Sequence, residues 1–214
     1  MKWEITYRKL CAELNINCSK DIDSENLLSS FNSNGEVIVS KLMRFRNRNF
    51  TIVGPYGNKI DKPDGNVVIV ADSAIDRIGI TPHVIVTDLD GNMERIIHFC
   101  KSGSIPLIHA HGDNINLIKK YVPKFGGIFI ATTQVPGERP LMNLEGFTDG
   151  DRSVKLANLL EAKSSQLNGF NFIDPVYKKG SRIKAEKLKF AQEIILDVVR
   201  ERLGTALDFI PHSF

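Results

Sequence analysis

The sequence predicts an α/β protein: a mostly parallel β-sheet flanked by helices, with a helical N-terminal segment and a long C-terminal helix. Three observations carry this expectation. From residue 50 onward, short and almost wholly apolar runs recur, of the kind buried on both faces of a parallel sheet. Helix-period stretches separate them, as in βαβ units. Ahead of these runs the apolar spacing is helical, and the tail returns to it. The expected division is a helical segment over 1–48 and an α/β domain over 49–214.

The elements follow in order. Trp3, Tyr7, Leu10 and Leu14 recur at spacings of three and four and form one helical face. Asp23 or Ser24 is placed to cap a second short helix through Leu28. Residues 32–35 read as a turn, and 36–45 as a helix in preference to a strand. Strands are expected over 50–53, 67–71, 84–86, 105–108 and 127–131, with helices over 93–100 and 115–121, the latter stopped by Pro123. A further helix is expected over 151–161 and a last strand over 166–172. The helix over 182–203 is the clearest. Ile183, Phe190, Ala191, Ile194, Ile195, Val198, Val199 and Leu203 largely share a face, which packs on the sheet or on a second copy in a homo-oligomer.

Composition narrows the class. A chain of 214 residues is one large domain, or one with an appendage, and long enough to bury a core. Apolar content of 42% and charged content of 25% are ordinary for a globular protein. The net charge of +3 is too mild to imply nucleic acid. Arg44, Arg46 and Arg48 read as a solvated face. No apolar stretch approaches the roughly 20 residues of a membrane span, and the first residues lack the apolar core of a signal peptide. Cys11, Cys18 and Cys100 form no CxxC pair, so reduced thiols in a cytoplasmic protein without a zinc site are expected.

Three polar clusters follow apolar runs: TDLDG (87–91), HAHGDN (109–114) and GFTDGDR (146–152). In an open parallel sheet, ligands bind beyond the carboxyl ends of the strands, so the clusters are expected to converge there. Asp88 and Asp90 have the spacing that sends two carboxylates the same way. Facing carboxylates repel unless a cation separates them, and Mg²⁺ takes one or two carboxylates plus substrate phosphates. A helix-capping turn is the plain alternative. His109 and His111 raise a transition-metal site, beside structural, substrate-orienting and phosphate-contacting roles. Asp113 and Asn114 open a helix, with capping as their plain alternative. Asp149 and Asp151 repeat the carboxylate spacing around Gly150. Arg152 adds a cation suited to phosphate, at a helix start that favours anions. Asp151 can also cap that helix while Asp149 holds metal.

Two further loops are candidates. Gly54-Pro55-Tyr56-Gly57 is a bend able to approach a nucleotide, though neither a Walker loop nor a Rossmann fingerprint. Thr132, Thr133 and Gln134 end a strand and are candidates for contact with a base or ring.

VTDLDG, HAHGDN and GFTDGDR, in that order, resemble the archaeal-type 6-hydroxymethyl-7,8-dihydropterin diphosphokinase family, which is similar in fold to thiamin diphosphokinase. The likeness covers about 50–172 and includes the Trp3 and Tyr7 pattern. It implies a thiamin diphosphokinase-like catalytic domain. It also implies transfer of diphosphate from ATP to the pterin hydroxymethyl group, with AMP leaving and Mg²⁺ required, in folate or tetrahydromethanopterin synthesis. Carried over, Asp88 and Asp90 are implied metal or phosphate ligands, and Asp149 and Asp151, implied to line the site, are expected to join them on the metal. Arg152 is implied to line the site, and with Gly54, Pro55, Asp72 and Thr133, read from their loops, is expected to meet the nucleotide or its phosphates. Asp113, Asp149, His109 and His111 are implied catalytic groups, among which the base is left open. Two loops depart from the family: Gly54-Pro55-Tyr56-Gly57 where a GPSL-like turn is usual, and Asp72-Ser73 where Asp-Gly is usual.

Rival readings remain. A DxDG phosphatase would use the first aspartate as nucleophile, but that motif usually opens its domain, and HAHGDN has no place in it. A nucleotide-sugar transferase using DxD and Mg²⁺, or a non-catalytic nucleotide-binding module, would use the same carboxylates.

Overall fold

The computed structural model describes residues 3–13, 15, 17–31, 35–62, 64–170 and 182–205, with the side chains of 182–184 and 203–205 excepted. Seven parallel strands form one sheet: β1 (Asn49–Val53), β2 (Val67–Ala71), β3 (Val84–Thr87), β4 (Ile105–Ala110), β5 (Ile130–Thr133), β6 (Met142–Asn143) and β7 (Ser164–Asn168). Their order is β6-β5-β4-β3-β2-β1-β7. The expected α/β class and parallel sheet are therefore as observed. Each residue of β2, Val-Val-Ile-Val-Ala, is buried, as two covered faces require.

Alternation along the strands divides the core in two. Val53, Val68, Val70, Ile85, Ile108 and Ala131 face one side, against α4 (Met93–Lys101) and α5 (Ile115–Tyr121), which contribute Ile96, Phe99 and Ile118. Phe50, Ile52, Val67, Ile69, Val86 and Leu107 face the other, against α3 (Gly35–Leu42), α6 (Asp149–Leu159) and α7 (Arg182–Thr205). The chain steps from β1 to β6 across the sheet. α6 then returns over the opposite face to deliver β7 beside β1. Ile195 and Val198 of α7 join this second core, so the helix packs on the sheet side and α6. Val199 is exposed, and the side chains of Ile183 and Leu203 lie outside the described residues. Among the described residues no helix is long and apolar enough to cross a membrane.

Several boundaries differ from expectation. β5 starts at Ile130 because Gly126 and Gly127 adopt φ of 58° and 75°, which an extended strand does not accommodate. β6 was not expected; two residues carry no period. β7 starts earlier, at Ser164, and residues 171 and 172 of the expected strand lie outside the described residues. Leu14 and most of the expected turn at 32–35 also lie outside them. Residues 36–45 are helical as expected, α3 running on into a 3-10 turn, Met43–Phe45.

The N-terminal helices are α1 (Trp3–Glu13) and α2 (Ser19–Ser30). Trp3, Tyr7 and Leu10 of α1 pack against Phe147, Phe190 and Ile194. α2 begins at Ser19, well before Asp23, since Ser24 lies buried within the helix rather than at its cap. The expectation of three reduced thiols is corrected: Cys11 and Cys18 form a disulfide. The chain reverses between α1 and α2 and brings their Cα atoms to 6.2 Å, within disulfide reach. Cys100 is free.

Candidate active site

The carboxyl ends of β2, β3, β4 and β5, and the start of α6, lie along one edge of the sheet. Asp72 follows β2, Asp88 and Asp90 follow β3, His109 ends β4, and Asp149 opens α6. All three polar clusters therefore meet at this edge.

Asp72 is central. It is 1% exposed, and its Oδ2 accepts from the Thr87 hydroxyl and, at 3.3 Å, from Gly91 N–H. Its Oδ1 is buried without a hydrogen-bond partner among the described residues, as is Asp88 Oδ1. One oxygen each from Asp72, Asp88 and Asp90 falls within a 4.8 Å span. The turn that brings them together is tight. Leu89 sits buried at φ 73°, a strained conformation for a branched side chain. A Cβ on Gly91 would stand 1.6 Å from Asp72 Oδ1, so only glycine fits the last position of TDLDG. Burial, with the charges of Asp88 and Asp90, pushes the Asp72 carboxyl up to about 7 against the Thr87 and Gly91 hydrogen bonds.

Asp149 and Arg152 complete the cluster from below. Arg152 is 2% exposed, its Nη1 donates to Asp149 Oδ1 at 2.8 Å, and its Nε has no hydrogen-bond partner among the described residues. Burial and then the negative charge of Asp88 hold Asp149 well above the usual carboxylate range, despite Arg152. Burial would also raise Asp88, but His111 and then Arg152 outweigh it and hold that carboxyl below its ordinary value. Four carboxylates, Asp72, Asp88, Asp90 and Asp149, thus interact around one buried guanidinium. Such a crowding of carboxylates, from buried Asp72 to exposed Asp90, with two buried oxygens lacking a donor among the described residues, suits a hard divalent cation held by oxygen.

Asp151 does not join this group. Its Oδ1 accepts from Thr148 N–H (2.7 Å), the Thr148 hydroxyl (2.9 Å) and Arg152 N–H (3.0 Å), and its Oδ2 from Phe147 N–H (2.9 Å). Thr148 is the N-cap of α6 and Asp151 closes a capping box. Both oxygens therefore serve the cap, and the expected metal-binding role of Asp151 finds no support in this geometry. The helix accordingly starts at Asp149 rather than 151.

HAHGDN divides into three roles. His109 is fully buried, sharing the sheet face of Leu107 by alternation. Its Nδ1 lies 3.1 Å from Thr132 Oγ1 and its Nε2 3.4 Å from Gln134 Oε1. Burial first, then the charge of Arg152, hold its pKa well below the ordinary histidine value. With both nitrogens engaged and no exposure, His109 is a poor proton acceptor for a substrate. His111 is partly exposed. Its ring stacks over His109 with centroids 6.2 Å apart, and its Nε2 is 3.5 Å from Asp88 Oδ2. Asn114 stands at the N-cap position of α5, but its side chain makes no capping bond. Its amide donates to Asp88 O (2.9 Å) and His109 O (2.7 Å) and accepts from His111 N–H (3.1 Å), stapling β3 to β4. Asp113 is exposed, and no hydrogen bond or ion pair of its carboxylate is seen among the described residues.

The remaining candidates flank the carboxylate group, and the Phe170 ring lies against both Gly54 and Gly150. Gly54 and Pro55 lie where β1 meets β7. Gly54 N–H donates to Asn168 O (2.7 Å), and a Cβ at Gly54 would come 2.7 Å from Gly169 O. The bend is therefore explained by close backbone packing. Thr133 is buried and donates to Glu25 Oε2 at 3.2 Å, under α2.

Sequence reasoning missed what α2 contributes. Its buried residues are Asp21, Ser24, Glu25 and Leu28. These have helical spacing, but three are polar, so a search for apolar period passes over them. The usable signal is the same i, i+3, i+4, i+7 stripe written in polar residues.

A family described as 6-hydroxymethylpterin diphosphokinase MptE-like matches residues 58–175, a span holding all three clusters. A 6-hydroxymethyl-7,8-dihydropterin pyrophosphokinase of Methanocaldococcus jannaschii is 34% identical over 91% of this chain and 93% of its own. Proteins of the same name from Methanothermobacter thermautotrophicus and Pyrococcus furiosus are 37% identical over 64% of this chain (63% of theirs) and 29% identical over 91% (91% of theirs). The chain belongs to the 6-hydroxymethylpterin diphosphokinase MptE-like family.

Proposed function

We propose that this protein transfers diphosphate from ATP to the hydroxymethyl group of 6-hydroxymethyl-7,8-dihydropterin, releasing AMP, with Mg²⁺ as cofactor. Family membership supports the reaction. The observation that carries the site is the pair of buried, donor-less oxygens of Asp72 and Asp88 beside Arg152.

Asp72, Asp88 and Asp90 are the residues that would hold Mg²⁺, all through hard oxygen atoms. The chemistry that Mg²⁺ would supply there is withdrawal of charge from the phosphate oxygens of ATP. Arg152, fixed by Asp149, adds a guanidinium suited to a phosphate oxygen. The acceptor hydroxyl oxygen forms a bond to the β-phosphorus in line as the bond to the α–β bridging oxygen breaks. That electron pair leaves on AMP. The hydroxyl proton passes to a carboxylate of the edge. Asp149 is the candidate, since burial raises its affinity for a proton and only its Oδ1 is held by Arg152. His111 keeps Asp88 oriented, and positioning with charge stabilisation supplies most of the acceleration.

The test is incubation with Mg-ATP and the hydroxymethyl dihydropterin, with thiamin as control, followed by mass analysis. AMP and the pterin diphosphate are expected. Absence of both, or equal AMP release with thiamin, contradicts the reading. Phosphate released from a simple phosphomonoester, without AMP, would favour the phosphatase instead.

A further inference from the structure

The second cluster is held from outside the sheet, by the helix that carries no apolar face toward it. Asp21 of α2 is 2% exposed and accepts three hydrogen bonds: Gly112 N–H at Oδ1 (2.6 Å), and Tyr7 O–H (2.8 Å) and Gln134 Nε2 (2.7 Å) at Oδ2. One turn on, Ser24 Oγ donates to His111 O at 2.6 Å. The approach is close enough that a Cβ on Gly112 would stand 2.5 Å from Lys20 Cβ, which explains the glycine in HAHGDN.

These bonds determine more than the path of a turn. A carboxylate accepts only, so Asp21 must receive the NH₂ of Gln134. Gln134 Oε1 is thereby turned to His109 Nε2, which must carry the ring proton to donate to it. Nδ1 is left as the acceptor, facing the Thr132 hydroxyl. That uncharged ring stacks beneath His111, whose Nε2 meets Asp88. A path of contacts, polar except for the stacked His109–His111 pair, therefore runs from α1 and α2 to a carboxylate of the proposed cation site.

We propose that Asp21, Ser24 and Gln134 are positioning residues for catalysis: they clamp the His111 turn from α2 and fix His109 in the Nε2–H tautomer. The tautomer stands by itself, whereas the catalytic consequence rests on the diphosphate-transfer reading. None of the three touches substrate; they act through His111 and Asp88. The network also has a second complete arrangement. If Gln134 flips, its NH₂ faces His109 Nε2, the ring proton moves to Nδ1, and Thr132 donates to Ile108 O, already 3.2 Å away. Asp21 as a carboxylate excludes that arrangement, and an amide at position 21 permits it.

The experiment is a long-range ¹H–¹⁵N correlation spectrum of protein labelled with ¹⁵N-histidine, with steady-state kinetics on the same samples. In the unsubstituted protein, His109 is expected to carry its proton on Nε2; a proton on Nδ1 overturns the proposal without any variant. In Asp21→Asn the proton is expected to move to Nδ1. There kcat and Mg²⁺ affinity should fall about tenfold to a hundredfold, the usual effect of losing an outer-shell partner, while KM for the pterin changes little. Ser24→Ala should keep the tautomer and lose activity to a smaller degree. A folded Asp21→Asn with the original tautomer and full kcat overturns the proposal. If that variant does not fold, Gln134→Met removes the same acceptor from Nε2, and retention of a pure Nε2–H form in it is equally contradictory. Absence of any pterin-dependent AMP release by the unsubstituted protein would sink the proposed function and leave the tautomer result to be read separately.

Discussion

Replacing Asp72 with asparagine should make the metal-free protein more stable while removing its response to Mg²⁺. Burial and the charges of Asp88 and Asp90 raise this carboxyl from its ordinary 3.8 to about 7. The folded state therefore binds more protons than the unfolded state between those values, and stability falls as pH rises through that window. Above it, keeping Asp72 ionised costs roughly 4 kcal/mol, taking about 1.4 kcal/mol for each tenfold change in proton affinity. Asparagine removes the charge. Its carbonyl still accepts from Thr87 and Gly91, and its NH₂ offers a donor beside an oxygen that now has none. Thermal unfolding between pH 4.5 and 8, in chelator and in Mg²⁺, reads each part. In chelator, the unsubstituted protein should lose stability toward pH 7.5, and Asp72→Asn should not and should be the more stable there. Mg²⁺ should raise the midpoint of the unsubstituted protein alone, and Asp72→Asn should be inactive. An asparagine variant less stable than its parent in chelator at pH 7.5, or equally stabilised by Mg²⁺, would refute the reasoning.

Three other outcomes separate roles within the edge. Asp149→Asn should abolish turnover without loss of stability, because it replaces a carboxylate held above its ordinary proton affinity; thermal melts and AMP release measure the two. Asp151→Ala should instead lower unfolding free energy by about 1–3 kcal/mol through loss of the α6 cap, while Mg²⁺ binding persists in calorimetry. Asn114→Ala leaves Asp88 O, His109 O and His111 N–H without their partner, so urea unfolding should reveal a loss of about 2–4 kcal/mol together with weakened Mg²⁺ binding.

The legibility of this protein in its sequence follows from where its residues are buried. β2 and β3 are covered on both faces, so their apolar runs announce them. The convergence of the three clusters follows from parallel strands, whose carboxyl ends share an edge, and the structure agrees. Roles within the clusters were less readable. Asp149 and Asp151 share one spacing pattern, yet at a helix start one projects toward Asp88 and Arg152 and the other folds back on the Thr148 cap. Asp72 reads as a nucleotide-contacting loop residue and not as a neighbour of Asp88 and Asp90, because its partners, Thr87 and Gly91, lie on and beyond the next strand. The stripe of Asp21, Ser24 and Glu25 escaped notice because it is buried against polar loops rather than a hydrophobic layer.

The central claim is that the sheet's carboxyl edge holds a divalent cation between Asp72 and Asp88 and, through it, the phosphates of ATP. The most direct measurement is a crystal structure with Mn²⁺ and a non-hydrolysable ATP analogue, using the anomalous signal to place the ion. The account predicts a single strong peak about 2.1 Å from Asp72 Oδ1 and Asp88 Oδ1, with the β- and γ-phosphates between it and Arg152. A peak on Asp151, or phosphates seated at Gly54 with no ion at the acidic edge, would contradict it.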